Sequence, residues 1–123
     1  MKSFDALKLN RQLLNAVADL GYTNPTPIQE EVIPLILTGH DLLGIAPTGT
    51  GKTAAFVLPI IRKLNYAQGD NPRALVFVPT RELAVQVYDN AVALSKHTDL
   101  RCCKLIGGVG MQSQIKEVAR GVD

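Results

Sequence analysis

A chain of 123 residues with 46% hydrophobic and 20% charged residues has the size and composition of one soluble globular domain, able to bury about two thirds of its unfolded surface. Thirteen Lys and Arg against eleven Asp and Glu leave a formal charge of only +2, so bulk charge argues neither for nor against a nucleic-acid partner. Two cysteines and two separated histidines are too few for a metal site or a disulfide framework, which points to a reducing, cytoplasmic setting. The first periodic segment, residues 9–20, carries Leu13, Leu14, Val17 and Leu20 at helical spacing and ends at Gly21. A rigid loop at 22–25 follows. Thr26, as N-cap, and Pro27, in the first turn, then open a second helix that runs to about Thr38 before Gly39.

Residues 42–46 and 74–78 are short, nearly continuous apolar runs, the pattern of parallel strands covered on both faces. Each precedes a helical pattern, 52–64 after the first and 81–96 after the second, the latter with Leu83, Val87, Ala91 and Leu94 on one face. A third expected strand, 101–106, places Cys102 and Cys103 on opposite faces as core thiols and leads through Gly107-Gly108-Val109-Gly110 into a helix near 112–119. The order is βαβαβα. It predicts an α/β fold with a parallel sheet covered by helices on both faces, preceded by a helical segment at 1–40. The loops after the three strands are APTGTGK, PTRE and GGVG, and they share the sheet edge where ligands bind in open α/β folds. His40 and His97 fall at surface turns and receive no role. The N-terminus has no apolar signal core and no run approaches the roughly 18 apolar residues of a membrane span, so no membrane partner is expected.

The run APTGTGKT at 46–53 carries the chemistry. A strand, a glycine-rich loop and a Lys-Thr pair opening a helix direct bare N–H groups and the helix dipole at an anion. Gly49 and Gly51 remove the Cβ atoms that would hold the backbone away from phosphates. Lys52 then reaches the β- and γ-phosphates and Thr53 offers its hydroxyl to Mg²⁺. Pro47, Thr48, Thr50 and Ala54 complete the loop. The expected ligand is a nucleoside triphosphate with Mg²⁺; Ala46 departs from the general pattern, which asks for glycine there.

Phosphate binding alone does not choose among nucleotide-using enzymes. The segment GYTNPTPIQ at 21–29, with Phe4 upstream, resembles the Q motif of DEAD-box RNA helicases, and APTGTGKT is similar to that family's alanine-started Walker A sequence. PTRELAVQ at 79–86 resembles the family's motif Ia and Gly107-Gly108 its GG element. The resemblance implies a RecA-like P-loop domain that binds ATP through Gln29, with Phe4 and Tyr22 beside the adenine. It also implies that Pro79, Thr80, Arg81, Gly107 and Gly108 hold the sugar-phosphate backbone of single-stranded or duplex RNA. A glutamine amide matches adenine N6 and N7, whereas guanine shows two acceptors there. Other readings stand beside these. Thr26-x-x-Gln29 is also a capping box, Phe4 is also a candidate core aromatic, and Thr80 with Glu82 also serves to cap a helix.

The family continues with strands carrying Asp-Glu-Ala-Asp and Ser-Ala-Thr and with a second RecA-like domain bearing arginine fingers. The chain is therefore expected to be the front part of the first helicase domain. On this reading the intact protein is an RNA-stimulated ATPase that unwinds or remodels RNA, while these residues alone lack turnover and self-associate through an unpaired strand edge. The alternative is a stand-alone adenine-nucleotide-binding module with no motor activity.

Overall fold

The computed structural model describes residues 3–123; Met1 and Lys2, the first two residues of the expected amino-terminal segment, lie outside the described residues. A short 3-10 helix at Phe4–Leu7 is followed by five α-helices: α1 (Arg11–Asp19), α2 (Pro27–Leu37), α3 (Lys52–Leu64), α4 (Arg81–Leu94) and α5 (Met111–Ala119). Their starts follow from local chemistry. The Asn10 side chain accepts the Leu13 N–H at 3.0 Å at the head of α1, and the Thr80 hydroxyl accepts the Leu83 N–H at 3.1 Å at the head of α4. Pro27 occupies the first turn of α2, where its missing N–H costs nothing. Among the described residues no helix is long and apolar enough to cross a membrane.

The core joins the amino-terminal segment to the phosphate-loop helix. Phe4, Leu7, Leu9, Leu13, Val17 and Ile33 pack with Ala54, Val57, Leu58, Ile61 and Leu94, all buried. Since α2 and α3 share the most extensive helix contact, the segment bearing Gln29 is fastened against the helix that begins with Lys52. This packing is what positions the site. At the far end of the same layer, the Asp19 carboxylate meets Lys96 Nζ at 2.9 Å and His97 Nε2 at 2.7 Å, tying the end of α1 to the turn after α4. Those two bonds, Lys96 first, hold the Asp19 carboxyl below its ordinary value. His97, given no role from the sequence, is thus a structural partner of Asp19.

The expected parallel sheet is not confirmed by strand pairing among the described residues. Among the described residues, 42–46, 74–78 and 101–106 connect the helices in the expected order but none is paired into a strand ladder. Ladder pairing requires a neighbouring chain about 4.8 Å away. Instead, 74–78 and 101–105 both line an apolar cleft of about 380 Å³. Leu42 and Gly44 line a larger cavity, of about 1530 Å³, together with 75–78. The large side chains Leu43, Ile45, Leu75, Phe77 and Leu105 are correspondingly exposed, Phe77 by 93%. Cys102 and Cys103 are half-buried rather than in the core, and burial raises both thiol pKa values.

One residue bridges the second and third segments. The Asp123 carbonyl accepts the N–H groups of Arg73 (2.7 Å) and Ala74 (3.0 Å), while its own N–H donates to the Arg101 carbonyl at 2.9 Å. Its carboxylate accepts from Arg73 Nη2 at 2.9 Å, from the Arg101 N–H at 3.0 Å and from Arg101 Nε at 3.2 Å. Burial alone would raise the Asp123 carboxyl. The Arg101 and Arg73 bonds outweigh it and hold the group well below the ordinary carboxylate range.

Candidate nucleotide and nucleic-acid site

The loop between residue 46 and α3 has the conformation that its glycines foretell. Gly49 and Gly51 adopt φ of +83° and +84°, and Gly51 is the N-cap of α3, so Lys52 and Thr53 are the first two helical residues. The helix therefore starts with unpaired N–H groups and the positive end of its dipole facing the loop. Lys52 is exposed and Thr53 half-buried. A hydrogen bond of 2.6 Å from the Thr50 hydroxyl to the Pro47 carbonyl braces the turn from within. These features fit a polyphosphate: backbone donors, a dipole and an ammonium converge, and no acidic side chain is part of the loop.

The surroundings of the loop include the residues singled out for the base. Phe4, Tyr22, Gln29, Thr48, Gly49, Gly51, Lys52, Thr53 and Ala54 all line the larger cavity, which also reaches Pro79. Phe4 is 4% exposed and belongs to the core cluster as well, so it both packs and borders the cavity. Gln29 is 4% exposed, and its Oε1 accepts the Thr26 N–H at 3.0 Å, the glutamine half of a capping box. Its Nε2 donates to the Gly51 carbonyl at 3.1 Å, a contact that the sequence pattern did not announce.

The candidate RNA-binding residues form a second group. Thr80 caps α4, which leaves Arg81 exposed in its first turn. The Arg81 guanidinium lies against Gly108, whose φ is +82° and where an added Cβ would collide with Arg81 Nη1. An added Cβ would displace the end of the flexible Arg81 side chain, so it is the positive φ that favours glycine at 108. Gly107 is exposed, with open space where a Cβ would stand. Gln114, one turn into α5, was missed. Its Oε1 accepts the Ile106 N–H at 2.8 Å and its Nε2 donates to the Val109 carbonyl at 3.4 Å, fastening both ends of the glycine loop. The available signal was a glutamine shortly after a helix start beside a glycine-rich loop. Among the described residues no cluster of His, Cys, Asp and Glu forms a metal site.

Residues 26–123 match the DEAD/DEAH box helicase family. The chain belongs to that family. Among DEAD-box relatives, the rice (Oryza sativa subsp. japonica) "DEAD-box ATP-dependent RNA helicase 28" is 49% identical over 119 residues, covering 95% of this chain and 15% of its own length. The "ATP-dependent RNA helicase drs1" of Neosartorya fischeri is 45% identical over 115 residues, covering 92% of this chain and 14% of its own length. The chain thus spans about a seventh of these curated relatives. In three dimensions it is similar to a DEAD box protein from Methanococcus jannaschii, with a TM-score of 0.90 and 36% identity over 98% of this chain and 33% of that one. It is likewise similar to the RNA-helicase Prp28 from Chaetomium thermophilum, solved bound to ADP, with a TM-score of 0.88 and 37% identity over 98% of this chain and 30% of that one. These likenesses establish the DEAD-box RecA-like fold class, although strand pairing is absent among the described residues.

Proposed function

We propose that this chain is the ATP- and RNA-binding front portion of an ATP-dependent RNA helicase. The observation that carries the proposal is the loop from Pro47 to Thr53, whose two left-handed glycines deliver Lys52 and Thr53 at the start of α3. Family membership and the names of the relatives support the motor reading over a stand-alone nucleotide-binding module. Mg²⁺-ATP, when bound, supplies the phosphoryl group whose hydrolysis drives a helicase. The chain's own part is to bind and orient it. Pro47, Thr48, Gly49, Thr50 and Gly51 shape the loop, the first-turn N–H groups through Ala54 face it, and Lys52 neutralises charge on the outer phosphates.

On the neighbouring surface, the Arg81 guanidinium and the backbone at Gly107 and Gly108 offer donors to one stretch of RNA backbone. Such contacts read phosphate and sugar, so binding is largely independent of base sequence. Within the full protein a parallel sheet completes this layer, a second RecA-like domain closes over the nucleotide, and the setting is cytoplasmic. Hydrolysis further needs a carboxylate to position water and positive charge on the transition state. The residues found here bind rather than turn over. The test is titration calorimetry with Mg²⁺-ATP. Lys52→Ala removes a charge-assisted bond of about 1.5–3 kcal/mol and is expected to weaken binding about 10- to 150-fold. Undiminished affinity would remove the phosphate-loop assignment.

A further inference from the structure

Three of the four residues between Ile106 and α5 are glycines, so this loop costs more entropy to order than a loop of ordinary residues. Its order comes from α5. Gln114 is 9% exposed, and both polar atoms of its side chain are bonded to the loop backbone. Oε1 accepts the Ile106 N–H at 2.8 Å, where the loop begins, and Nε2 donates to the Val109 carbonyl at 3.4 Å. The neighbouring Ser113 hydroxyl donates to the Gly110 carbonyl at 2.9 Å, where the loop ends. One helical turn thus grips the loop at three points. Gly107 and Gly108 lie between the two peptides that Gln114 holds, and Gly108 is the residue against which the Arg81 guanidinium rests. A buried amide on α5 therefore fixes the backbone beneath a guanidinium from α4.

We propose that Gln114 is a positioning residue for RNA binding, which holds the glycine loop in the posture that lets its backbone and Arg81 meet one stretch of phosphates together. The proposal rests on the RNA reading of Arg81, Gly107 and Gly108 given above and names the side chain that keeps them in register. Gln114 acts from below. Its burial closes it to an RNA chain, so its effect passes through the loop. The physical gain is pre-ordering: a loop left unheld has to be ordered by the RNA, and fixing a single residue costs about 1–2 kcal/mol of the binding free energy.

The test uses the 123-residue chain and a fluorescent single-stranded oligouridylate, followed by anisotropy at several salt concentrations. Gln114→Met keeps the side-chain length and removes both bonds. Hydrogen exchange of the Ile106 amide is expected to accelerate in the ligand-free variant, and RNA affinity to fall about 2- to 10-fold. Arg81→Ala is expected to weaken RNA and to make log K against log salt shallower by about 0.7, the loss of one phosphate contact on a single strand. Because Gln114 works through the surface that Arg81 shares, the two losses are expected to combine to less than their sum in the double variant. Gly108→Ala disturbs the loop without touching α5 and is expected to weaken RNA as well, which keeps the test open if Gln114→Met does not fold. If Gln114→Met frees the Ile106 amide but binds the oligouridylate as the parent chain does, or if Gly108→Ala does so, the loop's posture is irrelevant to RNA and the proposal falls. Fully additive losses, with the salt dependence of Gln114→Met unchanged, would reduce Gln114 to a brace for the start of α5 and also overturn it. Should Arg81→Ala bind like the parent chain, the RNA reading itself fails and takes the proposal with it, a result distinct from a failure confined to Gln114.

Discussion

Asp123 shows how much one side chain holds together in this molecule. Its carboxylate is 1% exposed and is paired with Arg73 and Arg101, whose side chains remain 27% and 35% exposed. The Gln68 N–H adds a further bond at 3.2 Å, so the turn at 67–73 is drawn to the start of the third segment. Replacing Asp123 by Asn removes the charge and strands two guanidinium groups; because these keep partial access to water, the expected cost at neutral pH is about 1–3 kcal/mol. The pH dependence has a definite sign. The carboxyl pKa is lowered in the folded state, so the stabilisation is complete above the unfolded value of about 4 and is lost as pH falls below it. Urea unfolding at pH 7 and at pH 3 checks this: the gap between the parent chain and Asp123→Asn is expected to narrow in acid. An equal gap at both pH values would show that the clamp contributes no charge-dependent stability. Nothing in the sequence marked Asp123 for this role, because its partners lie 50 and 22 residues away.

The helices are the elements that the sequence makes legible, and their caps are the reason. Residues 52–64 were expected as a helix and α3 spans Lys52–Leu64; the other four lie within a few residues of their expected bounds. Thr80 illustrates the local cause. Thr80→Ala removes the acceptor for the Leu83 N–H and is expected to cost about 1 kcal/mol, seen as a lower urea midpoint. It also loosens the turn that presents Arg81, so weaker binding of single-stranded RNA is expected alongside. RNA affinity that does not change in this variant would separate Arg81 from the role given to it. The phosphate loop was legible for the same kind of reason, since glycine spacing and a following helix are local facts. Its link to Gln29 was not. The capping box concerns Oε1 alone, and only the packing of α2 on α3 brings Nε2 to Gly51. The expected strands carry no ladder among the described residues, because an apolar run records a need for burial and not the identity of the neighbour that it pairs with.

At the scale of the whole molecule, one layer is finished and the other is open. The helical side buries its apolar residues, while Leu43, Ile45, Leu75 and Phe77 stand 72–93% exposed at alternate positions of two segments. Exposed apolar surface beside unpaired backbone favours association between copies. Light scattering at micromolar concentration is expected to show species larger than a monomer, reduced when Ile45 and Phe77 are both replaced by Ser. A cooperatively unfolding monomer of the parent chain would contradict this. The clefts between the three segments also have a meaning in time. Segments successive in the chain border shared clefts, with room between them. A strand that enters either cleft must come from outside the three segments, and the entropy of bringing it there is spent before a ladder bond offsets it. The helical layer, whose core is complete without such a strand, is expected to form before any ladder in those clefts. In the interval between the two, the glycine loop ahead of α3 is already shaped while the exposed apolar segments are open to any strand that arrives first.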